Sequence, residues 1–262
     1  MLLQLHEWGD RDAPALVCLH GVTGHGRRFR RLAEERLAAR FHVLAPDLRG
    51  HGFSGWEPPW TIHAHLADLV ETLAATGVRR ADWIGHSFGG RLVLELAALD
   101  PPLVERAVLL DPAIQLLPHV GFDMAEDQRH DRVFASPEEA IQARLEGNAT
   151  TPRQFVVEEA SEHLVEDRDG RFRWRYCQSA VVSAYGELCM PPPPPESLGA
   201  PTLLVHAEQF GLVRDDQLDA YRSALGDRLD LVAVPGGHVV IWDAYDETAA
   251  AVTRFLLEDS RA

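Results

Sequence analysis

The residues best suited to chemistry lie in Gly85, His86, Ser87, Phe88, Gly89 and Gly90, which read G-x-S-x-G. An apolar, strand-like run at 81–84 precedes them and a helix-like run at 91–99 follows. Strand, sharp turn and helix form the context in which this pattern is a nucleophile elbow, with the serine Oγ raised above the end of a sheet. Glycine at 85 and 89 keeps Cβ atoms out of the close strand–helix approach. A bare five-residue match also occurs as a plain glycine turn, and the flanking elements are what favour the elbow here.

A serine hydroxyl needs a base within hydrogen-bond reach to become a nucleophile. Among thirteen histidines, His238 stands out, on the glycine-rich turn Pro235, Gly236, Gly237, His238 after an apolar run. The plain alternative is a loop histidine without a role. His86 neighbours the serine but points the other way from an elbow, which suits packing. His20 is placed to bond loop backbone, and His6, His42, His119, His130 and His163 have no supporting context.

These side chains need elements to hold them. Residues 2–8 alternate loosely and read as a first edge strand, and strand-length apolar runs occur at 15–20, 41–45, 81–84, 104–110, 202–206 and 229–234. Between them lie helical patterns at 27–39, 61–76 (with Thr61 as its cap), 91–99, 215–225 and 241–257. Continuous apolar strands alternating with helices predict a parallel sheet covered on both faces. The rhythm breaks at residue 113. From there to 195 the chain is more polar, with helical candidates at 137–146 and 152–165, a turn at 167–170 and an extended piece at 171–176. An insertion between strands of one sheet reads as a lid, giving a core domain of 1–112 with 196–262 and a lid of 113–195. Residues 191–195 are a stiff polyproline spacer rather than a recognition motif.

Composition bounds the function. The chain has 262 residues, 46% hydrophobic and 25% charged, which is ordinary for a globular protein. Forty acidic against 25 basic residues give a net charge of −15, which argues against nucleic acid and anionic membranes as partners. Cys18, Cys177 and Cys189 form no C-x-x-C pair and suit a reducing compartment. Neither a signal-peptide pattern nor an apolar run near ~18 residues is present, so the cytoplasm is the expected location. No spacing of zinc-site type and no nucleotide-binding glycine loop occurs, so no metal and no cofactor is expected.

Four stretches together resemble the α/β-hydrolase fold superfamily, nearest to its small lidded serine esterases. They are the His20–Gly21 loop, the loop from Asp47 through Arg49, Gly50, His51 and Gly52 to Ser54, the elbow at Ser87, and the turn ending at His238. The resemblance covers nearly the whole chain. It implies a mostly parallel eight-stranded sheet with helices on both faces and a helical lid after strand 6. It also implies Ser87 as nucleophile, His238 as base, and an oxyanion hole made by the backbone N–H groups of Val22 and Phe88.

The acid departs from the family's pattern. The commonest arrangement puts an aspartate in the loop after the seventh strand, and Phe210 occupies that place here. Asp111, at the end of the preceding strand, is the preferred replacement, because some members carry their acid there. Glu208, in the usual loop, is the alternative, followed by Asp215 and Asp216. Asp111 also has a plain reading, since Asp–Pro is a common turn former, and Glu208 could be a solvated carboxylate. Asp47 and Arg49 read as pins of their loop. Trp56, Trp60, Phe122 and Trp174 are candidates for an apolar acyl pocket or for core.

The expected function is cofactor-free hydrolysis of a small or medium carboxylic ester, with a small ester-like molecule as the partner. A serine nucleophile argues against dehalogenase and epoxide-hydrolase chemistry, which needs a carboxylate. A lactonase, an amidase, a C–C bond hydrolase and a cofactor-free perhydrolase would share these residues. From another class, a non-catalytic ligand-binding receptor with this fold stays open because of Phe210. The chain does not decide whether it forms a homodimer.

Overall fold

The computed structural model describes residues 1–130 and 132–258. Residue 131 of the expected lid and residues 259–262 of the expected core lie outside the described residues. Strands β1 (Leu5–Trp8), β2 (Ala15–Leu19) and β3 (His42–Pro46) come first, with β2 and β3 joined through 3-10, α (α1, Arg30–Leu32) and π turns over 26–37. Helix α2 (Ile62–Thr76) follows, capped by Thr61 Oγ1, which accepts from the Ala64 amide. Then come β4 (Ala81–His86), α3 (Phe88–Leu99) and β5 (Val104–Leu110).

The insertion holds α4 (Pro118–Asp127), α5 (Pro137–Glu146), α6 (Arg153–His163), the hairpin β6 (Leu164–Glu166) and β7 (Phe172–Trp174), and α7 (Gln178–Leu188). The core resumes with β8 (Thr202–Ala207), α8 (Asp215–Leu225), β9 (Leu229–Val234), α9 (Val240–Asp243) and α10 (Tyr245–Thr253). No helix among the described residues is long and apolar enough to cross a membrane.

The main sheet runs β1-β3-β2-β4-β5-β8-β9, parallel except for β1 against β3. It has seven strands rather than the eight implied by the resemblance, and the insertion therefore follows the fifth strand, not the sixth. The strand-like stretches of the sequence number seven as well, six apolar runs and the alternating stretch at 2–8, and the extra strand has no such stretch to build it. Two core clusters cover the two faces of the sheet, and a third, with Phe134, Ile141, Val156 and Trp174, lies inside the insertion. Helix α7 is different. Its Val181, Ala184, Tyr185 and Leu188 pack into the same cluster as α2 and α3.

The elbow is where the packing is tightest. A Cβ on Gly89 would lie 2.2 Å from the Leu19 carbonyl oxygen, and one on Gly85 2.5 Å from the Gly89 oxygen. Both obstacles are backbone atoms that cannot swing aside. Gly89→Ala is accordingly expected to cost about 3 kcal/mol or more. At roughly 3 °C per kcal/mol for a chain of this size, that lowers the Tm by about 10 °C in a circular-dichroism melt. An unchanged Tm would show that strand and helix are less closely packed than described.

Buried histidines make stability depend on pH. His65 of α2 lies edge-on to Phe88 at 5.2 Å, and burial pushes its pKa down to about 3. His163, stacked on His25 at 3.3 Å, is likewise down to about 3, through burial first and then through His25. Both folded values lie below the ordinary 6.5, so between about 3 and 6.5 the unfolded chain binds protons that the folded chain does not. Stability is then complete above pH 6.5 and is lost as pH falls through that window, by up to about 1.4 kcal/mol per pH unit for each histidine. The urea midpoint is expected to fall between pH 7 and pH 5, and less steeply in His65→Leu.

Candidate active site

Ser87 sits between β4 and α3 with φ 55° and ψ −116°, a backbone conformation rarely adopted outside glycine. Its amide donates to the Leu110 carbonyl, and its own carbonyl accepts from the Arg91 and Ala113 amides. The turn is thus tied into the end of β5. Ser87 is 6% exposed, and its Oγ lies 2.8 Å from His238 Nε2.

His238 follows Gly236, whose φ of +90° turns the chain after β9. Its Nδ1 lies 2.6 Å from Asp111 Oδ2. An ionised carboxylate only accepts hydrogen bonds, so Nδ1 carries the hydrogen and Nε2 is left to accept from the serine hydroxyl. Asp111 comes directly after β5, fully buried, in the left-handed region at φ 40°. Its other oxygen, Oδ1, accepts from the Ala207 amide at 3.1 Å, and its own amide donates to Val205. The end of β8 therefore fixes the carboxylate.

Glu208 is exposed at the surface end of the usual loop, and its amide donates to the Val234 carbonyl. Asp215 and Asp216 open α8, where Asp216 pairs with Arg214. Of the four carboxylates considered, the structure brings Asp111 to His238. Phe210, in the place of the usual acid, stacks its ring on His238 with centroids 4.8 Å apart and planes at 18°.

The remaining sequence candidates find places around this group. Val22 lines the same cavity as Ser87, on a loop so close that a Cβ on Gly21 would lie 3.0 Å from Ser87 Cβ and 3.4 Å from Oγ. His51 Nε2 donates to the Val22 carbonyl and so fixes the peptide. The Phe88 amide opens α3, where the first N–H groups have no acceptor inside the helix. His20 donates from Nδ1 to the Gly21 carbonyl and accepts at Nε2 from the Leu48 amide, holding two loops together. His86 donates to the backbone carbonyl of His238. Burial holds both His20 and His86 well below the ordinary histidine range, so both are neutral.

Asp47 accepts from His6 and from the Gly26 and Phe53 amides. Burial works to raise its pKa, yet these bonds keep it below the usual carboxylate range. Arg49 grips Asp68 at 2.6 and 2.7 Å. Both residues pin their loop.

The apolar residues lining the cavity at Ser87 include Ala113, Leu116, Met124, Tyr185, Leu188, Leu212 and Val239. Thr23, Arg28, Arg144, Asn148 and Thr151 are among its polar lining residues. Trp56, Trp60, Phe122 and Trp174 are not among its lining residues. Trp56 and Phe122 are exposed, Trp60 bonds the Trp56 carbonyl, and Trp174 packs in the insertion beside an adjoining cavity. Sequence reasoning also missed Arg28, Glu159 and Arg144, which come together from 15 to 131 residues apart. Glu159 is buried, but Arg144, Arg28 and the contact with His25 overcome that burial and hold it well below the usual range. Among the described residues, no group of three His, Cys, Asp or Glu side chains is arranged to hold a metal ion.

A family model described as alpha/beta hydrolase fold matches residues 14–245. The chain is 33% identical over 261 residues to Lipase LipV of Mycobacterium tuberculosis, covering 96% of this chain and 97% of that protein. It is 30% identical over 261 residues to the sn-1-specific diacylglycerol lipase ABHD11 of Mus musculus, covering 95% and 82%. The crystal structure of E-2-(acetamidomethylene)succinate hydrolase shares its fold with a TM-score of 0.88 over 97% of this chain and 94% of that one, at 23% identity. With strand order, elbow and sequence in agreement over nearly its full length, this chain belongs to the α/β hydrolase fold family.

Proposed function

We propose that this chain is a serine hydrolase that cleaves a small or medium carboxylic ester through an acyl-enzyme on Ser87. The observation that carries this reading is the continuous line from Ser87 Oγ to His238 Nε2 at 2.8 Å and from His238 Nδ1 to Asp111 at 2.6 Å, at the floor of a cavity. Ser87 Oγ attacks the ester carbonyl as His238 Nε2 takes its proton. Asp111 keeps the imidazole in the required tautomer and stabilises the imidazolium. The amides of Val22 and Phe88 receive the oxyanion, each worth roughly 3–4 kcal/mol. His238 then protonates the leaving alcohol, and water, activated by the same nitrogen, releases the acid.

Leu116, Met124, Arg144, Val156, Tyr185 and Leu188 reach the cavity wall from the insertion, which supports reading residues 113–195 as a lid. Similarity to two lipases favours an ester over an amide. The receptor alternative drew on the missing acid at position 210, and the contact of Asp111 with His238 removes that motive. The test is to mix the protein with a chromogenic short-chain ester and with a fluorophosphonate. A burst of product and covalent label on Ser87 are expected; the absence of both would sink the proposal.

A further inference from the structure

The charges lining the cavity say what else the substrate carries. The chain as a whole has a net charge of −15, yet among the described residues the fully charged side chains lining this cavity are Arg28 and Arg144, with no Asp or Glu. Asp111 stays behind His238, its oxygens taken by His238 and the Ala207 amide. Arg28 and Arg144 share one buried carboxylate. Arg28 donates to Glu159 Oε1 from Nε at 2.8 Å and from Nη2 at 2.5 Å, and Arg144 Nε donates to Oε2 at 3.2 Å. Both also reach the Thr23 carbonyl, at 3.1 and 3.3 Å. Burial lowers the pKa of His25 beside them, against the pull of Glu159. Among the described residues, two guanidiniums thus share one carboxylate, and the group carries a net positive charge.

These guanidiniums are also held in place in advance. Arg28 lies over the Trp242 ring at 4.9 Å and Arg144 over Trp174 at 4.4 Å, and their side chains are only 6% and 13% exposed. Among the described residues, the hydrogen bonds of Arg28 employ Nε and Nη2, and none employs Nη1. A positive charge held out of water is costly unless an anion meets it, and a planar guanidinium suits a carboxylate in particular.

Resting on the ester-hydrolase reading above, we infer that the substrate is a half-ester, a carboxylic ester with a second, free carboxylate that docks against Arg28 and Arg144. The apolar wall of Leu116, Met124 and Leu188 then takes the methylene chain between the two ends.

The test compares monoethyl glutarate with ethyl valerate, which has the same acyl length without the charge, by proton release. A charge-assisted contact predicts kcat/KM about 10- to 100-fold higher for the half-ester. Arg144→Gln is expected to lower that ratio by about tenfold, and Arg144→Lys by less, because a point charge remains. Equal or poorer use of monoethyl glutarate while ethyl valerate is cleaved would overturn the inference and leave the esterase reading standing. A readout independent of turnover uses the Ser87→Ala protein. Glutarate is expected to raise its Tm and glutaramide at the same concentration is not. If wild type cleaves neither ester and takes no fluorophosphonate label, the esterase reading fails. The carboxylate site then stands or falls on the glutarate shift alone.

Discussion

Ser87→Ala is expected to lower kcat on a chromogenic short-chain ester by about 10⁶-fold, the scale for removing the nucleophile from a serine–histidine unit. The loss is large because Oγ is the protein atom that bonds to the substrate carbonyl carbon in the proposed pathway, so no acyl-enzyme forms without it. Without it, His238 Nε2 has no hydroxyl at 2.8 Å to deprotonate. The amides of Val22 and Phe88 and the cavity wall remain, so binding changes little and the defect falls on kcat. Some rate above water survives from those groups, on the order of 10³-fold. Because Ser87 and His238 act as a unit, His238→Ala is expected to cost a similar amount and the double variant little more. Steady-state rates with each purified variant decide this. If Ser87→Ala kept more than one hundredth of the wild-type rate, a different group would be forming the covalent bond.

The sheet was readable because buried parallel strands must be continuously apolar: the six runs of that kind became β2, β3, β4, β5, β8 and β9, and the loosely alternating stretch at 2–8 became the antiparallel edge strand β1. The extended piece expected at 171–176 contains β7, and the run just before the turn at 167–170 became β6 rather than the end of a helix. Helices α4 and α7 went unread. The spacing of Ala180, Val181, Ala184 and Leu188 marks one face of α7, but a short helix in a polar insertion offers little beyond that.

The elbow announces itself because a tight turn demands glycine at fixed offsets. The carboxylate beside His238 has no such local demand. Asp111 lies 127 residues from it in sequence, and only strand order and the left-handed turn after β5 bring the two together. Phe210 teaches a related lesson. Its type rules out the acid's work, but nothing in the sequence shows that its ring lies flat on the imidazole. The arginine pair is harder still, since its members come from the turn after β2 and from the insertion, and charge periodicity along a chain does not encode such a meeting.

Asp111→Asn is expected to lower kcat by on the order of 10⁴-fold, the size of this change in the serine protease template. The bonds of Asp111 explain why an isosteric change is so costly. Oδ1 accepts from the Ala207 amide, a donor that cannot turn away, while Oδ2 faces His238 Nδ1. An asparagine here would keep its oxygen on Ala207 and direct its NH2 group at Nδ1. That nitrogen must then accept, and the imidazole hydrogen moves to Nε2, where it points at the Ser87 hydroxyl. In this tautomer His238 has no lone pair for the serine proton. Fold and substrate binding are preserved, so Tm and KM are expected to stay near wild type while kcat collapses. Glu208→Gln is the control. Its side chain is exposed at the loop surface, and its kcat is expected to stay within about twofold of wild type, as for a surface site away from the reacting atoms. A loss of less than tenfold in Asp111→Asn, or of more than tenfold in Glu208→Gln, would move the acid away from the end of β5 and into the loop after β8.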